Sequence, residues 1–396
     1  MLLTAQDRVH STKRRIRALD TMRGFALCGI IFANLVSFTG FYSLSFNEIQ
    51  ALSWWDRGVL FVIDFLIEGK FYSVFATLLG VGFALQYAKY NRQDKNFTTF
   101  WLKRMLVLFV IGLSHMYLIW HGDILTLYSL LGVCLLFFKD IDDTRLRYWI
   151  IVLLCAPLVM HLLLSLTSHL TGWNVLTDIV YSLRKNLGYQ DVSLLSLRTA
   201  QEAKDVFWGN IFSAIPRPMA YLKTGRPFQV LGQFLLGLYL ARIYLRGQMS
   251  VPSKSNIIAL FVVGAGFSAI YAYIKAITGS PFSTDFLGLF QGLVYHVSCI
   301  MMALAYMALL YRLSHNGVSF SGLSQLGRMA LTMYLMQTTV CVLLFYGYGF
   351  AWMGNVPFYS IIVFGTCIIS IQLLFARYWL KNYQLGPLEY LWRRLT

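Results

Sequence analysis

Apolar runs close to 20 residues long recur along nearly the whole chain, and no other feature constrains its fold as strongly. A helix of about 20 residues spans the roughly 30 Å of hydrocarbon in a bilayer. Only helices or closed barrels satisfy every backbone polar group there, and runs of this length are helical rather than alternating. The composition agrees: the 396 residues are 58% hydrophobic and 13% charged, with a mean hydropathy of +0.61, against about 25% charged residues in a soluble domain. The expected fold is an all-α, polytopic transmembrane helix bundle. Spans are placed near 23–41, 70–88, 104–120, 124–138, 148–166, 228–246, 256–275, 286–311, 328–348 and 357–380, about ten in all. A further apolar piece, 57–68, has the length of a half-helix.

Five regions follow: a basic cytoplasmic N-terminal segment (1–22), an N-terminal bundle of about five spans (23–166), an external amphipathic cap (167–227), a C-terminal bundle of about five spans (228–380) and a cytoplasmic tail (381–396). Orientation comes from the 33 Lys+Arg residues, most of which fall in alternate short loops once the N-terminus is placed inside. Both termini are therefore expected in the cytoplasm. The first 20 residues contain no apolar core or small-residue cleavage site, so the first span itself is expected to direct insertion. The formal charge of +16 is spread over loops between apolar runs rather than over one soluble face, which argues against a nucleic-acid partner. The expected partners are the lipid bilayer and a small-molecule or glycan substrate. Six cysteines lie singly in apolar stretches without metal-ligand spacing. No P-loop, HExxH, GxSxG or EF-hand pattern occurs, so neither a metal nor a tightly bound cofactor is expected.

Ionisable groups inside a span are costly unless paired or facing water, which makes each one a candidate functional residue. Arg17, Asp20 and Arg23 flank the start of span one in RIRALDTMRGFALCGIIFAN. Asp20 and Arg23 share a helix face, and Arg presents a donor fork suited to phosphate. Asn34 lies deeper in the same span. DFLIEGKF places Asp64, Glu68 and Lys70 around Gly69, where the helix is expected to break. Asp64 and Glu68, four apart, would share a face and need compensation from Lys70 or from water.

GLSHMYLIWHGDILTLYSLLG carries His115, His121 and Asp123 across the turn between spans three and four. A carboxylate beside an imidazole fixes its tautomer and raises its basicity, so a His/Asp pair is a candidate general base or proton relay. Asp123 reads equally well as the N-cap of span four. Arg328 and Gln337, with Thr332 and Tyr334 in GRMALTMYLMQT, and His296 with Gln291 in span eight, are polar groups that line a cavity or tie helices together. Gly80-x-Gly82 and the Gly232 to Gly237 stretch offer small faces for close helix contact.

RIRALDTMRGFALCGIIFANL, EGKFYSVFATLLGVGFALQ, RMLVLFVIGLSHMYLIWHGDILTLYSLLG, LGRMALTMYLMQ and LGPLEYLWR, in that order from about residue 16 to 394, resemble the successive signatures of the YeiB family of bacterial inner-membrane proteins, a family named for a domain of unknown function. The opening LDTMRGFAL…IFAN is also similar to the first span of the transmembrane acyltransferase superfamily, which includes sugar O-acyltransferases and the lysosomal heparan glucosaminide N-acetyltransferase. That resemblance implies transfer of an acyl group from cytoplasmic acyl-CoA, as donor substrate, to an acceptor at the outer face through a membrane-embedded His. Asn34 stands where O-acyltransferases have a His, and no His occurs between Arg23 and His115. On this reading His115 takes the base role with Asp123, and Arg17 and Arg23 face the donor. The alternative is a proton-coupled transporter of a small organic solute, built on Asp64, Glu68, Lys70, His115 and Asp123.

Overall fold

The structure, a computed structural model, describes residues 5–93, 95–167, 171–279 and 285–396, with side chains from residue 17 onward except at 171 and 172. The basic side chains before residue 17 and His169 in the cap lie outside the described residues. No strand occurs among the described residues. The first half consists of α1 (Ala5–Phe38), α2 (Phe46–Gln50), α3 (Trp54–Leu66), α4 (Lys70–Asn91), α5 (Phe97–Ser114), α6 (Leu125–Cys134) and α7 (Asp143–Thr167). Four shorter helices follow: α8 (Val175–Asn186), α9 (Leu194–Arg198), α10 (Ala203–Ala214) and α11 (Arg217–Lys223). The second half consists of α12 (Arg226–Leu245), α13 (Lys254–Thr278), α14 (Phe286–His315), α15 (Ser321–Arg328), α16 (Ala330–Phe345), α17 (Ser360–Asn382) and α18 (Pro387–Arg394).

Every apolar run expected to span has a helical counterpart, yet only seven described helices are both long and apolar enough to cross a bilayer, or eight if one bent pair counts as a span. Three runs account for the difference from about ten. α4 is long enough, but it carries Lys70, Ser73, Thr77 and Gln86 and is sheltered by other helices, so its environment is protein rather than lipid. α6 with its terminal 3₁₀ turn ends at Phe138, about 21 Å from its start. The run 328–348 is broken: α15 and α16 meet at an angle of 86° around Met329, and the 16 residues of α16 reach only about 24 Å.

The bundle is assembled by pairwise packing of α4 along α12, α13 along α14, α1 along α15, α7 along α12 and α5 against α6. Two of these crossings have almost no space between backbones. A Cβ on Gly80 would lie 1.8 Å from the Phe234 carbonyl oxygen, and one on Gly237 would lie 1.9 Å from that of Thr77. Gly24 and Gly327 play the same reciprocal part between α1 and α15, with a Cβ on Gly327 only 1.8 Å from the Asp20 carbonyl oxygen. Such contacts replace the hydrophobic drive that lipid does not supply between helices. Gly82, by contrast, has nothing nearer than 3.8 Å.

The piece 57–68 is helical as α3, too short to span, with Ser53 capping it through the Asp56 N–H at 3.2 Å. Gly69 (φ +80°) breaks the chain between α3 and α4 as expected. It also sits so close to Cys299 and Tyr295 of α14 that a side chain there would overlap both. Because α3 already ends at Leu66, Asp64 is helical and Glu68 lies in the turn before Gly69, so the two carboxylates do not share a helix face. Asp64 turns to α13, where Lys275 holds it at 2.6 Å, and its backbone carbonyl accepts from Lys70 Nζ at 2.6 Å. The charge that compensates Asp64 therefore comes chiefly from Lys275 rather than from Lys70.

Candidate functional site

α5 does not end as an α-helix. Its last turn, His115–Ile119, is a π turn in which the Trp120 N–H reaches the His115 carbonyl at 2.8 Å. Such turns are uncommon and recur at functional sites, because the wider turn re-aims the side chains on it. The chain then reverses through Trp120–Ile124 and starts α6, which brings His115 and Asp123 together: His115 Nδ1 lies 2.9 Å from Asp123 Oδ1. His115 is 1% and Asp123 0% exposed. The other carboxylate oxygen, Oδ2, accepts the Thr126 N–H at 2.7 Å, so Asp123 caps α6 and holds the histidine at the same time. The Asp123 carbonyl accepts from the Tyr221 hydroxyl of α11.

A carboxylate accepts hydrogen bonds, so the neutral imidazole carries its proton on Nδ1 and leaves the Nε2 lone pair bare. Nε2 is buried and has no hydrogen-bond partner among the described residues. The imidazole ring packs 5.3 Å from the ring of Tyr334 in α16. A bare, oriented imidazole nitrogen in a site closed to bulk water is the arrangement of a general base.

Two cavities meet at Ile124 and Tyr334, which adjoin the pair, although neither His115 nor Asp123 lines them. The first, about 460 Å³, starts among Asp20, Arg23, Arg104, Arg328, Glu389 and Arg393. It continues between apolar side chains such as Leu27, Phe75, Leu79 and Leu108. The second, about 770 Å³, is the more polar of the two and includes in its lining Asn34, Glu68 and His121, with Arg198, Arg217, Lys223 and Arg226 at the far end of the bundle, and Lys275. Arg23 of the first and Ser37 of the second are 14 residues apart on α1, about 21 Å along its axis. Ile30, Tyr72, Ile124 and Tyr334 line both, so the wall between the cavities is one side chain thick there.

The first cavity is bounded by the LGPLEYLWR segment. Glu389 Oε1 accepts the N–H groups of Leu331 and Thr332 at 2.6 and 3.1 Å, and Oε2 accepts the Thr332 hydroxyl at 2.6 Å. A carboxylate thereby caps the exposed N-terminus that the break at Met329 creates in α16. Trp392 donates its indole N–H to the Arg104 carbonyl at 2.9 Å, and the Arg104 guanidinium lies 3.8 Å from the Trp392 ring centroid.

Of the residues expected from sequence, His115 and Asp123 are paired. Asp20, Arg23 and Arg328 are gathered in the first cavity, Arg23 bonded to Asp20 at 3.0 Å and Arg328 to the Gln384 carbonyl at 2.6 Å. Asn34, Glu68 and His121 are gathered in the second. Arg17 is exposed and lines neither. Asp64 and Lys70 lie in the buried ion cluster just described, and Gln337 ties α16 to α1 and α17 through Leu27 and Gln372. His296 meets Gln229 of α12 at 2.9 Å. The arginines 104, 198, 217, 226 and 393 were missed from sequence. Pro216-Arg217-Pro218 and Gly225-Arg226-Pro227 carried a signal, since an arginine held between helix-breaking residues is placed at a helix start instead of within a solvated face.

His121 lies in the turn between α5 and α6. Burial, followed by the charges of Arg198 and Arg217, holds its imidazole well below the ordinary range, so it is neutral.

Fold and site together define a multi-pass helical membrane protein with a buried His/Asp pair that adjoins Ile124 and Tyr334, side chains that line two cavities. Residues 240–396 match the family model described as "Protein of unknown function (DUF418)". Over 403 residues, 97% of this chain and 95% of the relative, it is 27% identical to the "Uncharacterized protein YxaH" of Bacillus subtilis (strain 168). It is 25% identical to the "Uncharacterized protein YeiB" of Escherichia coli (strain K12) over 96% of this chain and 95% of that one. Over nearly its whole length the chain is thus similar to these YeiB-type proteins of unknown function, and its C-terminal part matches the DUF418 model. No solved structure matches it.

Proposed function

We propose that this protein is an acyltransferase of the bacterial inner membrane that takes an acyl group from a coenzyme A thioester in the first cavity and passes it to a hydroxyl or amine in the second. The observation that carries this reading is the bare Nε2 of a carboxylate-held, buried His115 packed against Tyr334, a side chain that lines both cavities. The first cavity suits such a donor: arginines at its mouth match phosphates, and its apolar depth matches an acyl chain. The Lys/Arg asymmetry of the loops supports a cytoplasmic position for that mouth and for both termini, on the side where acyl-CoA is found.

In the reaction, Nε2 removes the proton from the acceptor O–H or N–H as that atom attacks the thioester carbonyl carbon. The C–S bond breaks, the acyl group stays on the acceptor, and the thiolate leaves with the proton returned by the imidazolium. Asp123 remains a carboxylate throughout, orienting the ring and stabilising its charged form. A solute carrier draws its support from intramembrane charges, but Asp64, Lys70 and Lys275 are engaged with one another, which is sufficient reason for their presence.

The test uses detergent-purified protein, acetyl-, succinyl- and palmitoyl-CoA, and two readouts: the shift in unfolding midpoint and release of free thiol on addition of candidate acceptors. The expected result is a donor-dependent stabilisation that an Arg23→Gln/Arg393→Gln double variant loses and that His115→Asn retains. Turnover should fall by about 10²–10⁴ in His115→Asn and Asp123→Asn. Absence of any acyl-CoA response, together with uncoupler-sensitive solute accumulation in proteoliposomes, would replace this reading with the carrier.

A further inference from the structure

The second cavity has more positive charge than its own residues neutralise, and we infer that it is a site for a phosphate-bearing ligand, which makes the acceptor a phosphate ester. Anion binding stands on the cavity alone; the word acceptor rests on the acyl-transfer reading above. Among the lining residues Lys275 is neutralised by Asp64. Arg198, Arg217, Lys223 and Arg226 form no ion pair among the described residues, and Glu68 is the sole carboxylate in the lining. That leaves an excess of three positive charges. A dianion offsets this excess better than a monoanion does, which favours a phosphate monoester over a carboxylate.

The donors are also unsatisfied. Arg198 is only 8% exposed and its Nε has no partner, although the far end of the guanidinium is fixed on the Ser213 hydroxyl. Arg217 Nε is likewise buried without a partner. A polar group removed from water and left unpaired in the folded chain is rare, and an incoming acceptor oxygen removes the cost. Arg217 lies over the Tyr221 ring, 5.0 Å from its centroid, and Arg226 over that of Tyr72 at 5.1 Å. The attraction of a cation to a π face uses none of its N–H donors, which stay available for the paired oxygens of a phosphate. Lys223, bonded to Asn174 at 3.0 Å, adds a mobile point charge at the rim. The three arginines come from α9, α11 and α12, so the short helices between α7 and α12 exist in part to deliver this charge.

The experiment is calorimetric titration of the full chain in detergent with inorganic phosphate and with glycerol 3-phosphate, against glycerol and matched sodium chloride. Saturable binding of the phosphates alone is expected. It should weaken about tenfold or more in Arg217→Ala, from loss of one charge-assisted hydrogen-bonding group. It should tighten in Glu68→Gln, a gain that a misfolded variant cannot produce. A second arm separates the two sources of the phosphate: displacement of glycerol 3-phosphate by phosphatidic acid in nanodiscs, and not by phosphatidylcholine, assigns a lipid-borne ligand, and its absence a soluble one. Absence of saturable binding, or affinities indifferent to Arg217 and Glu68, overturns the inference. Acyl-CoA stabilisation measured in the same preparation distinguishes the failures: if it persists while phosphate is silent, the donor reading stands without this one. If phosphate binds and acyl-CoA does not, the anion site stands and its ligand is no acyl acceptor.

Discussion

Lys275 and Asp64 join α13 to α3 at 2.6 Å with side chains 4% and 11% exposed, and this pair gives the sharpest stability prediction. With an effective dielectric of about 20 the attraction at that distance is roughly 6 kcal/mol. Part of it is offset by the desolvation of both charges, so the intact pair is worth much less than its Coulomb energy. Breaking it is a different matter. Asp64→Leu leaves Lys275 and Lys70 buried with only Glu68 nearby, and the expected loss is about 3–5 kcal/mol. Lys275→Met leaves Asp64 with the uncompensated charge and should cost a similar amount. The double variant removes both charges and should recover to within about 1 kcal/mol of the parent, or exceed it. The assay is equilibrium unfolding in mixed micelles of dodecyl maltoside and SDS, followed by tryptophan fluorescence, for the four proteins of the cycle. A coupling energy near 3 kcal/mol or more is expected. Additive losses in the double variant would refute the reasoning, because they would mean that the two charges stabilise the protein independently.

Three further outcomes follow from the packing. Gly80→Ala pushes a methyl into the Phe234 carbonyl and should cost at least about 1–3 kcal/mol by the same unfolding assay, whereas Gly82→Ala, with open space around it, should change stability by less than about 0.5 kcal/mol. Glu389→Ala uncaps α16 and should lower stability by about 1–3 kcal/mol; Glu389→Gln, which keeps acceptor oxygen but loses charge, should fall between. His121 takes up its proton at lower pH in the folded protein than in the unfolded chain. Its contribution is therefore complete above the ordinary value of 6.5 and is lost as pH falls below it, by up to about 1.4 kcal/mol per pH unit. Unfolding at about pH 7.5 and 5.5 should show a smaller pH dependence in His121→Asn than in the parent.

How much of this could be read from sequence depended on how far apart the interacting residues lie. The helices were legible because a segment surrounded by lipid must be apolar along its length, and every such run is helical. The break at Met329 was not, since 328–348 reads as one mainly apolar run with no proline or glycine at Met329 or its two neighbours, and the carboxylate that caps the freed start of α16, Glu389, is 58 residues away. His115 and Asp123 were legible as neighbours because they lie only eight positions apart, and the two oxygens of Asp123 are used separately, one on His115 and one on the Thr126 N–H. Lys275 was not found as the partner of Asp64 because the two lie 211 positions apart. The cap was read from its turns and amphipathic stretches, so its arginines counted only toward orientation. Their convergence on one cavity needed the fold of α9, α11 and α12.

The first cavity takes its lining from Asp20 near one end of the chain and from Arg393 near the other. During synthesis, the first spans can insert and pair long before that cavity has a boundary. Until the Glu389 segment arrives, the start of α16 lacks its cap and Arg104 lacks the ring it stacks on. The cavity is thus closed only once residues 385–393 are in place, and a chain interrupted before residue 385 would leave it open along one side with the start of α16 uncapped.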